Sequence, residues 1–105
     1  MAQEYIIRRI ETDEQGYRKE FTIPVEKFWE IMSPNSWGYT RNPDMMEIVI
    51  PEFQGKVGYS WEMGFIHVFF ESGKFPDEVA NKMMEEIYQN ILASTNQDGE
   101  LIETV

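Results

Sequence analysis

The chain has 105 residues, with nineteen Asp and Glu against nine Lys and Arg, one His and no Cys, and a formal net charge of −10. The length suits a single domain of roughly 100–150 residues. Three Trp, five Tyr and seven Phe set it apart from disordered chains, which combine high net charge with few aromatics.

The acid excess argues against a broad grip on nucleic acid, which needs Lys and Arg to displace condensed counterions. Anionic membrane surfaces are disfavoured for the same reason, whereas a basic partner protein or a cation is favoured. Absence of cysteine excludes a disulfide framework and a thiolate metal site. The start, Met1-Ala2-Gln3-Glu4, has no basic segment leading into an apolar run, so no secretory signal is expected. The longest apolar stretch, Phe65 to Phe70, is interrupted by His67 and is far too short to span a bilayer. The expected location is the cytoplasm.

Along the chain, Tyr5 to Ile10 is rich in β-branched and aromatic residues and reads as a strand. Glu11 to Gly16 is polar and ends on Gly, a turn signal. Tyr17, Lys19, Phe21 and Ile23 alternate with polar residues, so 5–23 is expected to form a hairpin, although Arg8, Arg9, Arg18 and Lys19 leave neither face cleanly apolar. Beyond Pro24, the residues Val25, Phe28, Trp29 and Met32 follow helical spacing, and Ser33-Pro34 ends that short helix. Ser33 to Asp44 is punctuated by two Pro, a Gly and two Asn and is expected to be a long loop.

Met45 to Ile50 reads as a strand stopped by Pro51, and Phe53 to Lys56 as a turn. Val57, Tyr59 and Trp61 alternate as in a half-buried strand, and Met63-Gly64 turns the chain. Phe65 to Glu71 is apolar on both faces, as in a central strand covered on both sides. The last helix is marked by Val79, Met83, Ile87 and Ile91, and by Ala80, Met84, Tyr88 and Leu92, which form one apolar stripe. Pro76, Asp77 and Glu78 suit its first turn.

The order β-β-α-β-β-β-α implies an α+β fold: a single antiparallel sheet of about five strands with the C-terminal amphipathic helix packed on one face. Residues 1–95 are expected to form one domain and 96–105 an acidic tail. Charge is uneven, with net −1 over residues 1–41, −3 over 42–76 and −6 over 77–105.

His67, alone and in the most apolar strand, reads as structural: transition-metal sites need several His or Cys ligands. No nucleophile motif or phosphate loop is present. Glu47, Glu62 and Glu71 fall on expected strands, and Glu62 and Glu71 could face one another across the Gly64 hairpin, but strand acids usually point to water. No enzymatic activity and no cofactor are expected. Met45, Met46 and Met63, with Met83 and Met84, suit either an adaptable surface or, for the last two, the core.

The loop holding Trp37, Tyr39 and Arg41 carries the side chains enriched at binding hot spots. With Asp77, Glu78, Glu85 and Glu86 on the wet face of the last helix, it defines an expected site for a protein partner with a basic surface, in an inhibitor, immunity-type or regulatory protein. The alternative is a calcium site outside the EF-hand pattern, drawn from Glu11, Asp13 and Glu14 or from Asp98, Glu100 and Glu103. Any homodimer is expected through a sheet edge.

Overall fold

The computed structural model describes residues 3–62 and 64–104, so Met1, Ala2, Met63 and Val105 lie outside the described residues. The strands are β1 (Gln3–Arg8), β2 (Thr40–Asn42), β3 (Glu47–Ile50), β4 (Gly55–Glu62), β5 (Phe65–Phe70) and β6 (Glu100–Thr104). The helices are α1 (Phe28–Ile31), entered through a 3-10 turn at Val25–Lys27, and α2 (Asp77–Thr95). The strands form one sheet in the order β2-β3-β4-β5-β1-β6, antiparallel at every neighbouring pair. The α+β architecture expected from the sequence is therefore present, with six strands.

Hydrophobic burial fixes which face the helices cover. Alternation puts Tyr5 and Ile7 of β1, Ile66, Val68 and Phe70 of β5, Val57 and Tyr59 of β4, and Ile48 and Ile50 of β3 on one side of the sheet, all buried. Against them α2 sets Ala80, Met83, Met84, Ile87 and Ile91, all fully buried, as its stripe predicts. Each of these Met and Ile side chains contributes about 1.5–3 kcal/mol on leaving water. The helix stops at Asn96, whose left-handed backbone (φ 54°) lets its N–H reach the Leu92 carbonyl.

Three expectations are corrected. The hairpin partner for β1 is not 17–23: β1 pairs with β5 on one side (Ile7 opposite Ile66) and β6 on the other (Ile7 opposite Leu101). Both of its edges are thereby taken, and 9–20 folds back on itself through a single bridge between Thr12 and Arg18. Second, Glu100–Thr104, inside the expected tail, is not irregular but forms an edge strand. Acids of that tail are balanced from the N-terminal arm, with Glu100 on Arg8 Nε at 2.5 Å and Asp98 accepting the N–H groups of Ile10 (3.2 Å) and Glu11 (3.1 Å). Third, the first helix is a single turn that buries Ile31 and Met32 and leaves Val25 87% exposed. A helix this short takes its orientation from packing rather than from its own periodicity.

Two glycines in β4 report the two faces separately. A Cβ at Gly55 would lie 2.6 Å from the buried Phe75 ring and 2.7 Å from Lys74 Cβ. One at Gly58 would lie 2.4 Å from the ring of Phe69, which is 40% exposed on the opposite face. Gly55→Ala is expected to cost about 1–3 kcal/mol through overpacking. Gly58→Ala should cost less than about 1 kcal/mol, because the Phe69 ring can change rotamer into solvent. Urea denaturation of the two variants checks the ranking.

Candidate protein-interaction site

The segment between α1 and β2 is irregular but firmly seated. Ser33 Oγ donates to the Trp29 carbonyl (2.5 Å), and the buried Tyr59 hydroxyl donates to the Met32 carbonyl. Burial, with a smaller contribution from nearby Tyr39, pushes the Tyr59 phenol well above its ordinary value. Further along, Glu86 of α2 accepts both the Ser36 N–H (2.9 Å) and the Ser36 hydroxyl (2.6 Å). The amides of Asn35 and Asn90 exchange hydrogen bonds at 3.0 Å, and Asn90 also donates to the carbonyls of Ile31 and Ser33. Asn and Ser side chains are suited to this work because they satisfy loop backbone groups that have no ladder to join.

This seating decides where the expected binding residues fall. Trp37 and Tyr39 are half-buried against the core, and Lys82 Nζ stands 5.7 Å from the centroid of the Trp37 ring, within cation–π range. Glu78 and Glu85 occupy positions i−4 and i+3 from Lys82 on the same helical face, and both are exposed. Trp37, Glu78, Lys82, Glu85 and Glu86 thus share one side of α2. Asp77 is set apart at the start of the helix, where Gln3 Nε2 donates to it. Arg41 lies exposed on the edge strand β2, opposite Ile48. Glu86 is turned inward to hold the loop, whereas Glu78 and Glu85 face water.

Most acids of the calcium reading are already engaged by basic side chains and backbone N–H groups of the N-terminal arm. Glu11 lies between Arg9 and Lys19, 2.7 Å from each, and the hydrogen bond from Lys19 leads the effects that hold its carboxyl below the ordinary value. Asp13 accepts the N–H groups of Gln15 and Tyr17 in its own turn. Asp98 and Glu100 are engaged as described above, Glu14 is exposed in the turn, and Glu103 faces Tyr5 across the β1–β6 pair. Among the described residues no three His, Asp or Glu side chains are grouped as they would be around a metal ion.

The strand carboxylates are likewise separated. Glu62 stands opposite Phe65, while Glu71 is at the far end of the β4–β5 pair, where it accepts the Lys56 N–H at 3.0 Å. The two therefore do not face one another across the Gly64 turn. Met83 and Met84 are core, and Met45 and Met46 are exposed.

Sequence reasoning missed a second surface. The face of the sheet opposite the helices carries Ile6, Phe65 and His67, half-buried, and Phe69, 40% exposed, and at its Phe65 end Glu20 accepts the Gly64 N–H. His67 sits there with Nε2 3.1 Å from Glu4 Oε1, not in a covered core. The apolar pattern of β5 on both faces was the available signal.

No described helix is long and apolar enough to cross a membrane. No protein-family model matches the chain, and no curated protein or solved structure matches it.

The Glu86 contacts are open to a pH test. Burial raises the Glu86 carboxyl, but the Ser36 hydroxyl, the N–H groups of Ser36 and Asn35, and Lys82 together outweigh it and leave it below the ordinary value. A lowered carboxyl stabilises the fold above its unfolded-state range, and that contribution is lost as pH falls through the folded value. Glu86→Gln is expected to cost about 1 kcal/mol at neutral pH, the small end for a charge-assisted bond because the site is part-exposed. Denaturation curves of variant and wild type should converge in acid.

Proposed function

We propose that this chain is a small cytoplasmic protein-interaction module, of the inhibitor, immunity or regulatory kind, which engages a basic surface of a partner protein through the α2 side. The observation that carries the reading is the seating of the 33–39 loop on Glu86 and Asn90, which leaves an aromatic anchor beside exposed helix acids. A loop already ordered loses little conformational entropy on binding. Trp37 and Tyr39 supply amphipathic contact area. Glu78, Glu85 and Asp77 supply the field that steers a basic partner, and Arg41 on the β2 edge adds a polar contact at the rim. The concentration of negative charge over 77–105, seven acids to one base, supports the sign of the partner. The absence of cysteine suits a reducing compartment.

Affinity capture from a cell extract, comparing wild type with the triple variant Asp77→Lys, Glu78→Lys, Glu85→Lys, tests this. Basic proteins retained by the wild type at low salt are expected to fall at least about tenfold in the variant and to elute as salt rises through a few hundred millimolar. Trp37→Ala should weaken the same capture at any salt. Partners held equally by all three proteins across the salt range would overturn the reading.

A further inference from the structure

Strand β5 is apolar on both of its faces, and among the described residues only one face is fully buried: on the other, Phe69 is 40% exposed and Phe65 and His67 are half-buried. Ile66, Val68 and Phe70 lie under α2, while Phe65, His67 and Phe69 point the other way. Strands buried on both sides carry this kind of continuous apolar run. The register arranges the open face in rows. Ile102, Ile6, His67 and Ser60 stand side by side across β6, β1, β5 and β4. Two residues away on either side of that row, β1 carries Glu4 and Arg8, and β5 carries Phe69 and Phe65.

We propose that two copies of this chain pack these open faces together about a two-fold axis running across the strands along the Ile102–Ile6–His67–Ser60 row, giving a two-sheet sandwich with the helices outermost.

The surface is self-complementary under that operation, as a two-fold interface requires. Rotation about the row exchanges positions on either side of it within each strand. Arg8 of one copy then meets Glu4 of the other, twice over, and each Phe65 meets the other copy's Phe69. Ile6 and Ile102 meet their own equivalents on the axis. Arg8 uses its Nε on Glu100, so the rest of its guanidinium donors are suited to a second carboxylate. The Phe69 ring lies over Gly58, where a Cβ would approach it to 2.4 Å, and beside it is a hollow of about 230 Å³ between Glu47, Lys56 and Glu71. That hollow is large enough to receive the edge of the partner copy's Phe65 ring.

Strand spacing and rise give the face a flat footprint of roughly 25 × 17 Å. That flat area, about 425 Å², falls short of the roughly 600 Å² per partner at the low end of specific interfaces, which fits weak association. A reversible dimer of micromolar affinity is therefore expected, with the two sheets crossing at about 30°. Each chain carries −10, so added salt screens the repulsion between copies while it weakens the two Arg8–Glu4 pairs, and the salt response of this dimer is expected to be shallow.

Sedimentation equilibrium of the whole chain, from about 5 to 500 μM in physiological salt, tests the proposal. The wild type is expected to pass from monomer to dimer, and Phe69→Glu, at an exposed position, to raise the dissociation constant at least about tenfold while leaving the thermal midpoint little changed. Glu4→Arg and Arg8→Glu should each lose self-association. Mixed together, those two variants should form a heterodimer, an outcome that misfolded chains would not give. A wild type monomeric throughout the range overturns the proposal. So does a dimer indifferent to Phe69→Glu, which would place the contact at a sheet edge, or a failure of the two folded charge variants to pair with each other.

Discussion

The structure depends on the insertion of β1 between β5 and β6. One N-terminal strand supplies the hydrogen-bond partners for two strands that lie about sixty and ninety residues further on. Since β5 and β6 both run antiparallel to β1, they are parallel to each other. Parallel strands cannot be joined by a tight turn, so α2 must carry the chain across the sheet from one to the other, over β1. That crossover lays Met83, Met84, Ile87 and Ile91 on the sheet. It is held at its start by Gln3 donating to the Phe75 carbonyl and to Asp77, and by the Tyr5 hydroxyl on Asn81. The loop-closure entropy of such distant pairing is offset by the core that it creates.

The same insertion sorts the charges. Basic residues of the N-terminal arm are drawn to the acids that precede and begin β6, so that Arg8, Arg9, Arg18 and Lys19 are engaged with Glu11, Asp98 and Glu100. These are part-exposed pairs, each worth little singly. Their main consequence is the distribution they leave behind. Lys82 is the single base over residues 77–105 and stands against Trp37. The helix side therefore presents unbalanced acid, while the open sheet face presents aromatics among charges of both signs. The two surfaces therefore differ in chemistry, one dominated by charge and the other by apolar side chains.

Much of this was legible in the sequence and some of it was not. The stripe on α2, the β3–β4 and β4–β5 hairpins and the α+β class follow from local periodicity, because the residues concerned bury one face against a single large neighbour. The pairing of β1 was not legible. Its residues, alternating Tyr5 and Ile7 with Ile6 and Arg8, fit a partner on either side, and nearness in sequence favoured 17–23. The strand β6 was hidden behind its acids, which are tolerable in an edge strand only because Arg8, Arg9 and Arg18 converge on that region from the other end of the chain. Glu86 had the pattern of a solvated helix acid, and its role as the seat of Ser36 required knowing where the loop lands.

The sequence by itself determined that this chain would fold around an amphipathic C-terminal helix on an antiparallel sheet, that the excess negative charge would collect towards its C-terminal end, and that β5 would carry apolar residues on both faces. Those properties reside in composition and in periods of two and 3.6 residues, which any local window displays. Only the tertiary structure decided which strands flank β1, which acids are neutralised and which face water, that Trp37 is held beside the helix, and that among the described residues one face of β5 is left part-exposed. Each of these depends on residues tens of positions apart meeting in space, and periodicity carries no information about that.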